Sequence, residues 1–278
     1  MTASDEPVKI MTVASCSNVR DEHRGHVVVS GSYGGRYNAY NAAKWPVRAV
    51  IMNDAGIGKD GAGVIGLEFL DRIKMAAATA DAMTCHIGNG DHMLAHGVIS
   101  HVNETAAALG CKVGQNVRAC AELMRSAVPP TEMPPPITDG ARYVLRDNPD
   151  ELALVCADSI GMIVSEDAGK IVVTASHGAL SGGQPDTAVG PDVHAVFFSD
   201  GGVGMDGAGI ARLAPLDQRG IPAGAVSADS APIGDSRALY HDGILSHINQ
   251  AAAHAGGKPG MTLKAFVDIL TAAAKRSA

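Results

Sequence analysis

The sequence predicts an α/β fold, internally duplicated, with two Rossmann-like α/β units of mainly parallel sheet related by a pseudo-two-fold. Three observations predict it. First, the stretch Asn53-Asp54-Ala55-Gly56-Ile57-Gly58-Lys59-Asp60-Gly61-Ala62-Gly63 recurs as Ser199-Asp200-Gly201-Gly202-Val203-Gly204-Met205-Asp206-Gly207-Ala208-Gly209, with seven of eleven positions identical. Second, Gly97-Val98-Ile99-Ser100-His101-Val102-Asn103 recurs as Gly243-Ile244-Leu245-Ser246-His247-Ile248-Asn249 at the same offset of 146. Third, short β-branched runs alternate with segments of helical spacing, the order expected of parallel sheets covered by helices.

The elements follow in order. Residues 9–15 and 26–30 read as strands, as do 152–159 and 170–174 in the second copy. Residues 47–52 and 193–198 form the next strands, and each runs into the glycine-rich turn. Apolar spacing predicts helices over 64–74 and 210–219, then strands over 76–80 and 221–226. A polar loop follows in each copy. Ser100 and Ser246 then read as N-caps of helices running to 109 and 255. A last helix closes each copy, over 117–125 and 263–274. The domains are therefore 8–126 and 152–278, joined by a linker at 127–151. Pro129, Pro130, Pro134, Pro135 and Pro136 favour an extended, semi-rigid crossing there.

Composition narrows the function. A hydrophobic content of 46% with 18% charged residues supports a real core. A net charge of −7 and only 4% aromatic residues argue against nucleic acid and an anionic membrane as partners. No apolar run is long enough to span a bilayer, and the polar, acidic first residues do not read as a signal peptide. Five cysteines without CxxC spacing read as reduced thiols, which places the protein in the cytoplasm.

Four groups of residues could carry chemistry. The Gly56-x-Gly58-x-x-Gly61 and Gly202-x-Gly204-x-x-Gly207 turns each follow a strand and open a helix, the setting of a dinucleotide fingerprint, and Asp81 stands where a ribose-binding acid would. Asp60 and Asp206 would repel a pyrophosphate, so tight turning with Asp caps is the structural alternative. At the strand ends, Ser32, Asp54, Ser176, His177 and Asp200 sit where α/β proteins bind ligands. Ser176, His177 and Asp200 could form a nucleophile, base and orienter; Tyr33 replaces the histidine in the first copy. Third, His101 with Asn103 and His247 with Asn249 would lie in the first turn of their helices. Fourth, His86, His92 and His96 cluster in the first copy, with His92 and His96 at a spacing compatible with zinc but without a recognisable third ligand. The second copy offers Asp229 and Arg237 there, and the arginine fork suits a carboxylate or phosphate.

A strand ending in Ser-His-Gly, beside one ending in a Gly-rich turn, resembles caspase-type cysteine peptidases over that short segment. Asp54 and Asp200 stand where those enzymes would need a cysteine, so their activity is not expected.

The expectation is a cytoplasmic hydrolase or lyase acting on a small polar metabolite, anionic or a cyclic amide or carbonyl, in a cleft between the two units. Ser176 would be nucleophile or oxyanion donor, His177 or His247 the base, and Asp200 the orienter, with Asp54, His101 and Asn249 as further catalytic candidates. Amides of residues 201–204 would stabilise negative charge. Ser32, Gly56, Gly58, Asn103, Gly202, Gly204, Asp229 and Arg237 would bind substrate. No cofactor or metal is expected, with NAD or a divalent metal as alternatives, and a homo-oligomer is allowed for. The competing readings are an NAD- or NADP-dependent oxidoreductase or transferase, and a non-catalytic metabolite-binding protein.

Overall fold

The computed structural model describes residues 7–137, 140–148 and 150–277. The fold is α/β, built on two mixed sheets of mostly parallel strands. The first has five strands in sequence order: β1 (Ile10–Val13), β2 (Val27–Tyr33), β3 (Ala49–Asn53), β4 (Ala76–Ala80) and β5 (Ile99–Val102). The first four are parallel and β5 is antiparallel. Its helices are α1 (Arg36–Ala43), α2 (Gly66–Asp71), α3 (Gly90–His96), α4 (Glu104–Ala107) and α5 (Val117–Met124). The second sheet has β6 (Arg142–Arg146), β7 (Leu154–Ala157), β8 (Ile171–His177), β9 (Ala195–Ser199), β10 (Ala223–Val226) and β11 (Leu245–Ile248), again in order. Its helices are α6 (Leu213–Gln218), α7 (Ser236–Asp242), α8 (Gln250–His254) and α9 (Leu263–Ser277).

The central strands of each sheet are buried on both faces because they are apolar at consecutive positions, not alternate ones. Val27, Val29, Ile51 and Ala78 face Met93 of α3 and Cys120 and Met124 of α5. The intervening Val28, Val50, Met52 and Ala77 face Ala39 and Ala42 of α1 and Leu67 and Leu70 of α2. In the second sheet Val173 and Phe197 meet Phe266 of α9, while Val172, Val196 and Phe198 meet Leu216 of α6. All five cysteines are buried free thiols. No helix among the described residues is long and apolar enough to cross a membrane.

The structure departs from expectation in five places. The helices expected from Ser100 and Ser246 begin instead at Asn103 and Asn249, because the β-branched residues before them complete antiparallel edge strands β5 and β11. The polar loops contain α3 and α7, started by side-chain caps from Asn89 and Asp235. Helix α1, unforeseen, follows β2. The matching stretch of the second half, broken by Gly182, Gly183 and Pro185, makes only short 3-10 turns. The helices expected at 64–74 and 210–219 shorten to six residues each after a 3-10 segment. The linker is not a plain crossing: β6 pairs antiparallel with β7, and Arg142 donates to the fully buried carboxylate of Asp167 at 2.5 Å. Strand order is sequential in both sheets, so neither contains the reversal that opens a crevice in a doubly wound sheet.

Asn103 and Asn249 are structural. Oδ1 of Asn249 accepts from the amides of Ala252 at 2.9 Å and Ala223 at 3.0 Å, while Nδ2 donates to the Ile221 carbonyl at 2.8 Å. Asn103 makes the same three bonds, to Ala106, Ala77 and Met75. Each side chain caps a helix and clamps it to the start of the neighbouring strand. Asn249→Ala should cost about 3 kcal/mol, because it strands two buried amides and a carbonyl. Urea unfolding measures this, and a loss below about 0.5 kcal/mol, the level of an ordinary surface substitution, would remove the clamp from the account.

Candidate functional site

The two glycine turns meet back to back. A Cβ on Gly56 would lie 2.9 Å from the Gly202 Cα, and one on Gly202 would lie 2.8 Å from the Gly56 Cα. Lys59 N donates to the Ala228 carbonyl and Met205 N to the Ala82 carbonyl, both at 2.8 Å, so the two turns exchange one backbone bond in each direction with the opposite half, and Gly182 N adds another by donating to the Gly88 carbonyl at 2.8 Å. Gly58 and Gly204 approach those same two carbonyls, where a Cβ would sit at 3.0 Å. A small apolar cluster of Tyr33, Ala55, Ile87, Ala179 and Ile233 closes the contact.

The turns are wound through the left-handed region, and even the β-branched Ile57 (φ 66°) and Val203 (φ 63°) sit there. That conformation is strained for such residues. Asp54 and Asp200 hold it. Asp54 Oδ1 accepts from Gly56 N and Ala82 N, both at 2.9 Å. Asp200 Oδ1 accepts from Gly202 N and Ala228 N, both at 3.0 Å, and Oδ2 accepts from Ser246 Oγ at 2.8 Å.

This geometry corrects two expectations. The amides of residues 201–204 donate to Ser199 Oγ, Asp200 Oδ1, the Asp200 carbonyl and the Gly202 carbonyl, so they are not aimed at a developing oxyanion. The amides of residues 55–59 are likewise bonded, to Asn53, Asp54, Gly56 and Ala228, so they do not form a phosphate cradle. Gly56, Gly58, Gly202 and Gly204 serve the contact between the halves.

The proposed serine triad is also not assembled. Successive strand residues point to opposite faces. Ser176 Oγ therefore accepts from Ile160 N at 2.9 Å, while His177 Nδ1 accepts from Ala179 N at 3.2 Å on the other side. Asp200 contacts neither. Ser32 does the work of Ser176 in the first half, accepting from Cys16 N at 2.9 Å. His101 and His247 lie on edge strands, not at helix starts. His247 Nδ1 is 3.1 Å from Ser246 Oγ, whose proton goes to Asp200, and His101 Nδ1 is 3.2 Å from Ser100 Oγ. The serine thus stands between carboxylate and imidazole, the reverse of a catalytic triad, where the imidazole is in the middle. Asp229 lies on an exposed loop.

His86 stacks on His92, and His96 lies tilted against His92. The ring centroids are 3.7 Å apart for His86 and His92 and 4.5 Å for His92 and His96. Among the described residues no three His, Cys, Asp or Glu side chains are grouped to hold a metal ion. Burial, then the neighbouring His86 and His96, hold the His92 pKa below its usual value, with Asp206 opposing. His86 Nε2 lies 2.9 Å from Asp206 Oδ2 and so bridges the halves.

The contact leaves a cleft of about 380 Å³ on one side, bounded by both halves. The first half supplies Tyr33 from the end of β2, Arg36 and Tyr37 from the start of α1, and Asp60 from the turn. The second supplies Tyr143 from β6, Asp158 after β7, and Asp235 and Arg237 at the start of α7. Arg237, expected to bind substrate, lies with its guanidinium over the Tyr143 ring, 4.2 Å from the centroid. Asp158 is committed to Ser236 and Ala141, and Asp235 caps α7. Among the described residues, Arg36, Arg237 and Asp60 have no ion pair and no side-chain hydrogen bond. A smaller cavity of about 240 Å³ is bounded by His86, Asn89, Leu180 and Asp206. At the matching positions of the sequence repeat, Leu180 stands for Arg36 and Asp91 for Arg237.

Sequence alone does not mark Arg36, Tyr37, Tyr143 or Asp158 as lining the cleft. One signal could have found them: they fall where the two copies differ. Tyr33 faces His177 in the alignment of the copies, Arg36 faces Leu180, Asp158 faces Ala14 and Arg237 faces Asp91. The chain matches no protein-family model, no curated protein and no solved structure.

His177 provides a pH test of the packing between the halves. Burial, then the nearby Arg212 cation, pushes its pKa down to about 3, opposed by the Ala179 amide bond. In the unfolded chain it titrates near its ordinary value of about 6.5. Between those values the unfolded state binds a proton that the folded state refuses, so this group's contribution to stability is lost as pH falls from about 6.5 towards 3, by at most about 1.4 kcal/mol per pH unit. An NMR titration of the ring should show it neutral down to pH ~4. Protonation near the ordinary value would contradict the burial.

Proposed function

We propose that the protein is a cytoplasmic hydrolase or lyase that binds a small anionic metabolite in the cleft between its halves. One observation carries the reading: Arg36 and Arg237, from opposite halves and without ion pairs among the described residues, border the same cavity as the uncommitted carboxylate of Asp60. A guanidinium fork matches a carboxylate or phosphate, and two forks across a cleft favour an anion that touches both halves. Asp60 is the group we assign to proton transfer, in place of Ser176 and His177. It is exposed to the cavity on a left-handed backbone (φ 57°), a strained position of the kind found at working sites.

The architecture supports the reading. We take the halves as duplicated Rossmann-like units, with strands in sequential order, related by a pseudo-two-fold through the Gly56–Gly202 contact. Matched Asn clamps, Asp-held turns and reciprocal backbone bonds support that relation. One of the two equivalent cavities has become the arginine cleft and the other has not. A non-catalytic metabolite-binding protein is the second reading, favoured by the use of Asp158 and Asp235 as structural caps.

A thermal-shift screen with small carboxylates and phosphates tests the proposal. A ligand at about a hundred times its Kd adds roughly 2.7 kcal/mol to stability. Arg237→Ala should weaken the responding anion by roughly 30-fold or more, the effect of losing a charge-assisted bond. Asp60→Asn should keep the affinity and lose turnover. No response to any anion overturns the proposal, and binding without turnover in the unmodified protein decides for the second reading.

A further inference from the structure

The chain has five tyrosines and one tryptophan, and three of those tyrosines, Tyr33, Tyr37 and Tyr143, border the cleft that Arg36 and Arg237 share. They arrive from three separate elements: the end of β2, the first turn of α1, and edge strand β6 in the linker. In a chain with so few aromatic residues, packing alone does not bring three rings to one partly open surface.

The backbone is fitted around two of these rings. A Cβ on Gly35 would lie 2.2 Å from Tyr33 Cε2, and one on Gly234 would lie 2.6 Å from the Tyr33 hydroxyl. A Cβ on Gly140 would lie 2.3 Å from Tyr37 Cε2. These glycines come from α1's entry, from the loop before α7 and from the linker, so both halves and the linker accommodate the rings. Tyr37 and Tyr143 remain partly exposed in the wall, while Tyr33 is buried. Arg237 adds a third planar surface, since its guanidinium lies over the Tyr143 ring. The equivalent positions of the second cavity have no such set: His177 replaces Tyr33, Leu180 replaces Arg36 and Ser181 replaces Tyr37.

From this we infer that the ligand of the cleft is a planar, unsaturated anion: an aromatic or heteroaromatic ring carrying a carboxylate or phosphate. The inference rests on the anion reading above and adds the ring. The tyrosine and guanidinium faces take the ring by stacking, and the forks of Arg36 and Arg237 take its charge.

The test uses the full chain and two charge-matched pairs of probes, phthalate against glutarate and phenyl phosphate against glycerol 1-phosphate, in isothermal titration. The ring-bearing member of at least one pair should bind roughly tenfold tighter than its aliphatic partner, an advantage of the size stacking gives. Which pair responds separates carboxylate from phosphate. Tyr143→Leu should reduce that advantage to about threefold or less, with the aliphatic probe's affinity little changed. Tyr37→Leu is the second variant should the first fail to fold. Equal affinities within both pairs, with binding retained, would overturn the ring and leave the anion reading standing. No binding by any of the four probes would overturn both.

Discussion

The structure depends on the approach of two backbones, Gly56 against Gly202, that only glycine permits. Side chains at either position would push the turns apart, because each Cβ would fall within 3 Å of the opposing Cα. From this contact follow the two reciprocal bonds at Lys59 and Met205, the small apolar cluster around Tyr33 and Ile87, and the spacing of the groups that border the cleft. The left-handed winding of Ile57 and Val203 is tolerated because Asp54 and Asp200 hold each turn to the loop after the following strand. The most regular part of the sequence is thus the joint of the molecule.

That joint changes the meaning of the strongest sequence signal. Glycines after a strand and before a helix suit a phosphate when their amides are free. Here the amides are occupied, by the turn's own carbonyls and carboxylates and by the other half. The spacing of glycines reports a tight, left-handed turn but not what the turn packs against. The layered α/β architecture was legible, because continuous apolar strands and the segments of helical spacing leave few alternatives. The conversion of Ser100 and Ser246 from helix caps to strand residues was not, since a short β-branched run beside a helix start fits either state until its neighbour is known. Asn103 and Asn249 stand out in sequence as a polar residue repeated in both halves, and their amides are saturated by backbone.

The cleft was visible in sequence only as Arg237. Identity between the matching stretches falls on residues that turn, cap and clamp in both halves. Difference falls on residues that border the cleft. Arg36, Tyr37 and Arg237 have no chemical equivalent in the other copy, and Tyr143 comes from the linker, which has no equivalent at all. A cleft lined by such positions lies outside any repeat-based reading, because its lining converges only when the linker strand pairs with β7 and the turns dock.

Hydrogen–deuterium exchange at the Lys59 and Met205 amides tests the central claim most directly. Lys59 belongs to an exposed turn and Met205 is only partly buried, so without the joint both would exchange at rates typical of surface loops. The account predicts that both are protected to a similar degree as amides of the central strands, since releasing them requires the halves to separate. Fast exchange at both, with the strands still protected, would show that the turns do not join the halves, and the cleft between them would lose its foundation.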